Sequence, residues 1–418
     1  MRSINRTDYL PILILLHTCL AIVGYSNRGS FTVSYHLIWL IAFLTISCIW
    51  LYKYYYFSPN NTRDYRIVGF YLFWLLLSII RGYFVAENYW EDKQLIDGSL
   101  FLSFPLFVYV FSIPEILQKT LRLWVKFALP VLLVTLYLCR SGSLHYCLGP
   151  ALLLSCFYPI VPKKWMIVFL VILAIQMVVD LGARSQVIKA AVTLIIGVAY
   201  LCSNILKPLM IKMIHWLCYI TPIILLFLGI NGIFNPFEAM SENYQGKLIQ
   251  TYSDGDVASE DFSDDTRTQI YVEVIESAVK NNYIWHGRTP ARGNDSWTIV
   301  SVWRDIGMIP VSGKYERHAN EVCHPNVFTW LGLIGMTLYG LIYLKSSYLS
   351  VYKSNNIWMK ILGVFIAFRW AFGWIEDMPN FEISTITLWM MIAMGFSERF
   401  RQMNDQQYNE WVQKLFAK

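Results

Sequence analysis

Long apolar runs follow one another along most of this chain, and they limit its possible folds more than any other feature. Apolar residues make up 56% of the sequence and charged residues 15%, whereas soluble domains average roughly a quarter charged. A helix needs roughly twenty apolar residues to cross about 30 Å of hydrocarbon. We therefore predict an all-α, polytopic membrane protein with about twelve transmembrane helices. The predicted spans are residues 9–25, 35–57, 66–86, 98–113, 121–139, 146–161, 165–181, 186–204, 213–233, 326–346, 357–375 and 381–397.

Basic residues are concentrated in alternate connections between these spans. Loops rich in Lys and Arg face the cytoplasm, so both termini are predicted to be cytoplasmic. The intervening connections carry acids, such as Glu87, Asp97 and Glu376, and face the other side. In a Gram-negative cell this places a multi-pass protein in the inner (cytoplasmic) membrane. The net charge of +6 is explained by this orientation pattern and does not indicate nucleic-acid binding.

One long hydrophilic segment, residues 234–325, interrupts the apolar runs. It divides the chain into residues 1–233 with transmembrane helices 1–9, a large periplasmic loop, and residues 326–418 with helices 10–12 and a cytoplasmic tail. We expect one integrated membrane domain in which the loop is a lid and part of the active site. Its acidic run, residues 254–265, lacks calcium-loop spacing and is expected to be a solvated loop.

Two short amphipathic helices are expected inside this loop. Apolar residues recur at helical spacing in both places, after Asp264-Asp265 in one and after Asp295-Ser296 in the other. The residues concerned are Ile270, Val274, Ile275 and Ala278 in the first, and Trp297, Val300, Trp303 and Ile306 in the second. Such helices can lie on the membrane surface with their apolar faces down.

Arginines near bilayer depth are costly and suggest function. Four stand out, namely Arg81, Arg140, Arg184 and Arg369. The first three lie on the same predicted side as the loop, where positive charge runs against the trend. Guanidinium groups bind phosphate through paired, charge-assisted hydrogen bonds, so several around one cavity would hold a diphosphate. The alternative is that each one reaches lipid headgroups or pairs with an acid, and Arg369 is expected to pair with Glu376 or Asp377.

His318 and His324 flank the point where the loop returns to the membrane. An imidazole titrates near neutrality and can accept a proton from a hydroxyl group, so both are candidate general bases. Histidines inside apolar spans are expected to be packed and hydrogen-bonded, which applies to His17, His36 and His215.

A series of motifs from Arg184 to Gly335 resembles the O-antigen ligase and O-antigen polymerase family of bacterial membrane glycosyltransferases. The series comprises Arg184-Ser185 in a short outer connection, Arg267-Thr-Gln-Ile-Tyr271, the Gly-containing turn 285–293, and Gly332 with Gly335. The family usually has an adjacent His-Asn pair before the glycines. This chain departs from that pattern, because His318-Ala-Asn320 lies too far upstream of the glycines and His324-Pro-Asn326 too close to them. Either histidine is a candidate for the catalytic place, and we favour His324 because it is nearest the membrane edge.

The resemblance implies an enzyme that moves a glycan from undecaprenyl diphosphate to an acceptor hydroxyl on the periplasmic face. Arginines would stabilise the departing diphosphate, and a histidine would accept the hydroxyl proton. We expect inversion, no metal and no cofactor. The diphosphate-binding candidates are Arg184, Arg267, Arg288, Arg81 and Arg140, and the catalytic candidates are His324 and His318.

Expected partners are the lipid-linked glycan donor, membrane lipids and a glycan or lipid A-core acceptor. A ligase and a repeat-unit polymerase differ only in that acceptor, and we place the ligase first. A transporter of the same lipid-linked glycans is the alternative from another class. It would need charges along a central path and usually an internal repeat.

Overall fold

The structure, a computed structural model, describes residues 9–24, 34–59, 61–135, 147–178, 184–201, 207–235, 239, 247–251, 257–261, 266–297, 300, 313–376 and 381–417. Helices dominate the first half of the chain. They are α1 (Tyr9–Gly24), α2 (Tyr35–Tyr56), α3 (Arg66–Val85), α4 (Tyr89–Leu102), α5 (Phe107–Phe111), α6 (Pro114–Leu123), α7 (Leu129–Thr135), α8 (Gly149–Ser155), α9 (Lys163–Val178), α10 (Arg184–Leu201) and α11 (Pro208–Ile230). Short 3₁₀ turns at Thr62–Tyr65, Phe104–Leu106 and Tyr158–Ile160 and a π-helical stretch at Trp124–Ala128 connect some of them.

The second half adds two small strand pairs and the most buried helices. Its elements are β1 (Lys247–Thr251), β2 (Val257–Asp261), α12 (Thr266–Lys280), β3 (Asn294–Asp295), β4 (Glu316–Arg317), α13 (Cys323–Tyr352), α14 (Ile357–Phe372), α15 (Ile383–Phe396), α16 (Glu398–Gln402) and α17 (Asp405–Lys414). β1 pairs antiparallel with β2, with Lys247 opposite Asp261, and β3 pairs antiparallel with β4, with Asp295 opposite Glu316. The described chain is therefore helical as predicted, apart from these strands.

Among the described residues, five helical segments are long and apolar enough to cross a membrane. They are His36–Tyr56, Thr62–Val85, Tyr89–Phe111, Pro208–Ile230 and Cys323–Tyr352, and shorter apolar helices cover Tyr9–Gly24, Ser185–Leu201 and Ile383–Phe396. Helix α11 leaves large apolar side chains such as Leu209 and Phe227 exposed. A contiguous apolar surface of this kind favours contact with lipid over water.

The core lies around the C-terminal helices α13, α14 and α15, which pack on one another and on α3 and α5. Trp330, Trp358 and Trp389 are fully buried there. Helix α15 is buried on almost every side, so its apolar sequence reflects enclosure by protein.

Helix α13 is interrupted at Gly332, whose φ of 69° and ψ of −173° are not helical. A break frees backbone groups that a membrane protein must satisfy internally. The carbonyls of Thr329 and Trp330 accept from the Arg288 and Thr289 amides at 2.6 and 3.1 Å, and the Leu333 amide donates to the Ile284 carbonyl at 2.8 Å. These hydrogen bonds therefore fix the turn 284–289 of the hydrophilic segment against the break in α13.

Two expectations for the hydrophilic segment have partial outcomes. The first predicted helix exists as α12, which buries Ile270, Val274 and Ala278. The second lies outside the described residues except for Trp297 and Val300. The acidic run is not wholly a loop, because residues 257–261 form β2, and the flanking residues 254–256 and 262–265 lie outside the described chain.

Candidate functional site

The first turn of α12 rests on the short segment that follows α14, residues 374–376. The Arg267 Nε donates to the Ile375 carbonyl at 3.3 Å, and the Tyr271 hydroxyl donates to the Trp374 carbonyl at 2.6 Å. The Tyr271 and Trp374 rings stack with their centroids 6.4 Å apart. Arg267 and Tyr271 lie four residues apart on a helix, so they share a face. This geometry explains why an arginine and an aromatic residue occur at that spacing.

Helix α10 approaches the same segment from another direction. The Lys189 ammonium forms a salt bridge with the Glu376 carboxylate, and both side chains are about nine-tenths buried. The Gln186 side-chain amide donates to the same carboxylate at 3.3 Å. Arg184 begins this helix two residues earlier, so its main chain lies at the same end of α10, while its side chain is outside the described part of the chain.

Arg369 completes the cluster from the last turn of α14. Its guanidinium lies 3.0 Å from the second Glu376 carboxylate oxygen, and its side chain is only 8% exposed. The predicted pairing of Arg369 with Glu376 is confirmed, and Asp377 lies outside the described residues. Buried ion pairs carry a desolvation cost and are weak evidence for stability alone, which makes this cluster a candidate for function.

Lys189 and Gln186 were not among the residues identified from the sequence. A signal was present, because Lys189 is a lysine inside the predicted span 186–204, and an ionisable residue at that depth indicates function. Its partner lies 187 residues away along the chain, so no local pattern pointed to the pairing.

His324 lies beside this cluster but is enclosed. Its side chain is packed among Trp370, Trp374 and Tyr339, with ring centroids 4.7 to 6.5 Å apart. The Nε2–H group donates to the Trp370 carbonyl at 2.9 Å, since a carbonyl can only accept. This leaves Nδ1 as the nitrogen that can accept a proton. The neighbouring Cys323 amide donates to the Glu376 carbonyl at 2.9 Å, which ties the start of α13 to the cluster.

Arg81 and Arg288 are used differently from the prediction. The two Arg81 terminal nitrogens donate to the His286 and Gly287 carbonyls at 3.0 and 3.2 Å, which holds the turn against α3. Arg288 forms ion pairs with Asp295 at 2.6 Å and with Glu316 at 3.2 Å. Both guanidinium groups therefore stabilise the fold of residues 286–295 and of β4 within the hydrophilic segment. The sequence did not show the Arg288 pairs because the two acids come from separate strands.

The electrostatics of Asp295 reflect this network. Burial alone would raise the pKa of Asp295, but hydrogen bonds from Lys280, Asn281 and Arg288 outweigh it and lower that pKa to about 2. Asp295 is thus a firmly ionised partner for Arg288 at neutral pH.

His318, which follows β4, contacts the turn that carries Arg288. Its Nε2–H donates to the Pro290 carbonyl at 2.9 Å, and its ring lies 5.2 Å from that of Trp330. Burial lowers the pKa of His318 to about 4, although the Pro290 hydrogen bond opposes the shift. The imidazole is therefore neutral at pH 7 and is a weak base.

The structure thus divides the predicted site residues. Arg267 contacts residues 374–376, next to His324, and Arg184 begins the helix whose Gln186 and Lys189 reach the same segment. Arg81, Arg288 and His318 hold the turn 284–295. Arg140 lies outside the described residues. Among the residues that the structure describes, no group of three His, Cys, Asp or Glu side chains is placed to bind a metal ion.

Two cavities share α12 as a wall. One, of about 460 Å³, lies between α11, α12 and the end of α14, and its lining is mostly apolar, with Leu226, Val272, Ile275 and Trp374 among its residues. The other, of about 480 Å³, is lined by charged and aromatic side chains that include Glu273, Lys280, Asp295, Trp297 and Tyr315. Glu276 borders both. A single helix therefore separates an apolar cavity from a polar one and carries Arg267 at its first turn.

No protein-family model matches this chain, and neither a curated protein nor a solved structure matches it. Its function must therefore be inferred from its own residues and their geometry.

Proposed function

We propose that this protein is a membrane glycosyltransferase that moves an oligo- or polysaccharide from undecaprenyl diphosphate to an acceptor hydroxyl. In this proposal the chain crosses the inner membrane about twelve times, both termini are cytoplasmic, and residues 234–325 face the periplasm. The observation that carries the proposal is the placement of three different environments along α12. A lipid-linked glycan has the same three parts, namely an apolar chain, a diphosphate and a sugar.

The apolar cavity suits the lipid part of such a donor. Its walls come from α11, which exposes apolar side chains, and from Val272 and Ile275 of α12. A chain entering from the bilayer would exchange lipid contacts for similar contacts with protein. The polar cavity suits the glycan, because the exposed rings of Trp297 and Tyr315 offer flat apolar faces and the nearby carboxylates accept hydrogen bonds from hydroxyl groups.

The diphosphate would lie at the cationic end of α12. In the reaction, the acceptor oxygen bonds to the anomeric carbon, the bond from that carbon to the phosphate oxygen breaks, and the diphosphate leaves with the electron pair. Cations placed where this charge develops lower the barrier. Arg267 is the first candidate and Arg184 the second, since the Ile375 carbonyl needs only one of the five guanidinium N–H donors of Arg267. Arg288, Arg81 and Arg140 were predicted as ligands, but Arg288 and Arg81 have structural partners that explain them.

His324 is the better candidate for the general base, with His318 second. His324 lies against Trp374, next to the cationic cluster, and its Nδ1 could accept the acceptor proton after a local rearrangement. His318 is second because it lies away from that cluster, with its Nε2–H on the Pro290 carbonyl of the turn. A positioned base contributes roughly 100- to 10,000-fold.

The experiment uses the full chain reconstituted in lipid vesicles with a polyprenyl-diphosphate-linked oligosaccharide and a glycan acceptor. Arg267→Ala should lower transfer by roughly 100-fold or more if its charge stabilises the leaving group. Arg399→Ala is the matched control, since Arg399 is also an arginine, lies in α16 outside the proposed site and has a side chain 57% exposed. Unchanged transfer by folded Arg267→Ala would refute the proposal. Passage of the donor across the membrane without transfer would favour the transporter.

The acceptor distinguishes ligase from polymerase, and we place the ligase first. Deleting the gene and separating the surface glycans on a gel gives different results for the two. Loss of all capped lipid A with carrier-linked polymer retained indicates a ligase. Caps of a single repeat unit indicate a polymerase.

A further inference from the structure

The Glu376 carboxylate is held by hydrogen bonds from two side chains and by an ion pair with a third, from two helices. Lys189 and Gln186 of α10 reach one oxygen, and Arg369 of α14 reaches the other. Lysine, arginine and amide groups around one anion are also the donors that phosphate oxygens take in proteins. The segment that carries Glu376 lies beyond the end of α14, at the same place where Arg267 binds the Ile375 carbonyl.

We propose that this cluster is a phosphate subsite, and that the Glu376 side chain is an internal substitute that a phosphate group displaces. The inference rests on the proposed function, since it assigns one phosphate of the lipid diphosphate to Lys189, Gln186 and Arg369. The other phosphate would lie at Arg267. Ile375 and Glu376 are adjacent in the chain, so Arg267 and the Lys189 group of donors bind the same three-residue segment.

The exchange is favourable on electrostatic grounds. In the intact donor each phosphate has two non-bridging oxygens and one negative charge, as a carboxylate does. The terminal phosphate of the departing diphosphate has three such oxygens and up to about two negative charges, so it satisfies the same donors more fully. The cations are buried, with side chains at most 8% exposed, and burial strengthens their interaction with an anion. The displaced Glu376 side chain would turn towards solvent. Part of it is already accessible there, since it is 10% exposed.

This arrangement predicts opposite effects for two substitutions on the binding of inorganic pyrophosphate. The purified full chain is titrated with pyrophosphate in detergent at low salt by calorimetry. Lys189→Met should weaken binding about tenfold, the value of one charge-assisted hydrogen bond. Glu376→Gln should tighten binding about tenfold or more, because it removes the competing anion. Lys189→Arg keeps the charge and should largely retain affinity, and Lys164→Met, at an exposed position in the first turn of α9, is the control that should leave it unchanged.

A purely structural salt bridge would not give this pattern. It predicts that both substitutions reduce stability and that neither tightens pyrophosphate binding. Folded Lys189→Met that binds like the natural chain, or folded Glu376→Gln that binds no more tightly, would overturn the proposal. If a single variant does not fold, the double variant Lys189→Met/Glu376→Gln removes the charge pair together. It should bind about tenfold more tightly than Lys189→Met alone, or about tenfold more weakly than Glu376→Gln alone, whichever of these folds, and equal affinity would overturn the proposal.

The same measurements separate this inference from the proposed function, since pyrophosphate binding requires no glycan. A chain that binds pyrophosphate through Lys189 but transfers no glycan would refute only the glycosyltransferase proposal. If the protein transfers glycan but Lys189→Met does not change its affinity for pyrophosphate, only the subsite would be refuted.

Discussion

Gly287 and Gly332 lie against each other where the turn 284–289 meets the break in α13. Both have left-handed φ values, 72° and 69°. A β-carbon on Gly287 would lie 2.5 Å from the Gly332 amide nitrogen, and one on Gly332 would lie 2.5 Å from the His286 nitrogen. The contact is backbone against backbone, so no side chain can yield. The two glycines are therefore needed both for their conformation and for the close approach.

Gly332→Ala is expected to destabilise the protein strongly. The left-handed φ costs about 1–3 kcal/mol for a residue with a side chain, and the clash with the turn adds about 1–3 kcal/mol. Gly232→Ala is the matched control, since Gly232 has a φ of 66° and a β-carbon there would meet nothing within 4 Å, so only the first cost applies. Thermal unfolding of the purified variants measures the difference. If both variants lose the same amount of stability, the close contact between Gly332 and the turn does not contribute to stability.

Arg288→Met tests whether this residue is structural or binds substrate. Its partners Asp295 and Glu316 are mostly buried, with side chains 29% and 12% exposed, and removing one member of a buried pair costs about 3–5 kcal/mol. We expect a large fall in unfolding temperature. Lys280→Met should cost at most about 1 kcal/mol, because that partner of Asp295 is exposed. If Arg288→Met is as stable as the natural chain but no longer transfers glycan, Arg288 would instead bind the diphosphate.

The pH dependence of stability should contain a contribution from His318. Its pKa is lowered to about 4 in the folded chain from an ordinary value of 6.5, so the unfolded chain binds the proton more tightly between these values. The contribution is therefore complete above about pH 6.5 and is lost as the pH falls towards about 4, with an upper limit of roughly 3 kcal/mol. His318→Gln keeps a donor for the Pro290 carbonyl but does not titrate. Its unfolding temperature should fall less than that of the natural chain between about pH 6.5 and 4.5. Parallel curves would contradict the assignment.

The sequence was informative where a signal is local. Spacing alone located α12, because Ile270, Val274 and Ala278 recur with the period of a helix. Composition and run length indicated a helical membrane protein. The Arg369–Glu376 pair was also accessible, since its members lie seven residues apart.

Signals that depend on distant contacts were not accessible. Lys189 meets Glu376 only because α10 packs near the end of α14, and Arg288 meets Glu316 only because β4 pairs with β3. Charge near the predicted membrane therefore identified candidate residues, but it did not show which acidic side chain each one pairs with. The residues grouped as one arginine site separate into a cluster at residues 374–376 and a network that holds the turn.

Filling the apolar cavity should impair the use of long lipid donors without affecting pyrophosphate. Val272→Trp places a large ring on the α12 wall of that cavity, where the natural side chain is 42% exposed. If the lipid chain lies there, KM for an undecaprenyl-linked donor should rise about tenfold, because the lost apolar contacts amount to roughly 1.4 kcal/mol. A donor with a much shorter polyprenyl chain should be affected less.

Val279→Trp is the control, since Val279 lies on the same helix with 59% exposure and should leave both KM values unchanged. Equal kinetics of the natural chain and Val272→Trp with the long donor would place the lipid elsewhere, whereas a parallel loss of pyrophosphate binding would show that the substitution disturbs the cationic end of α12 itself.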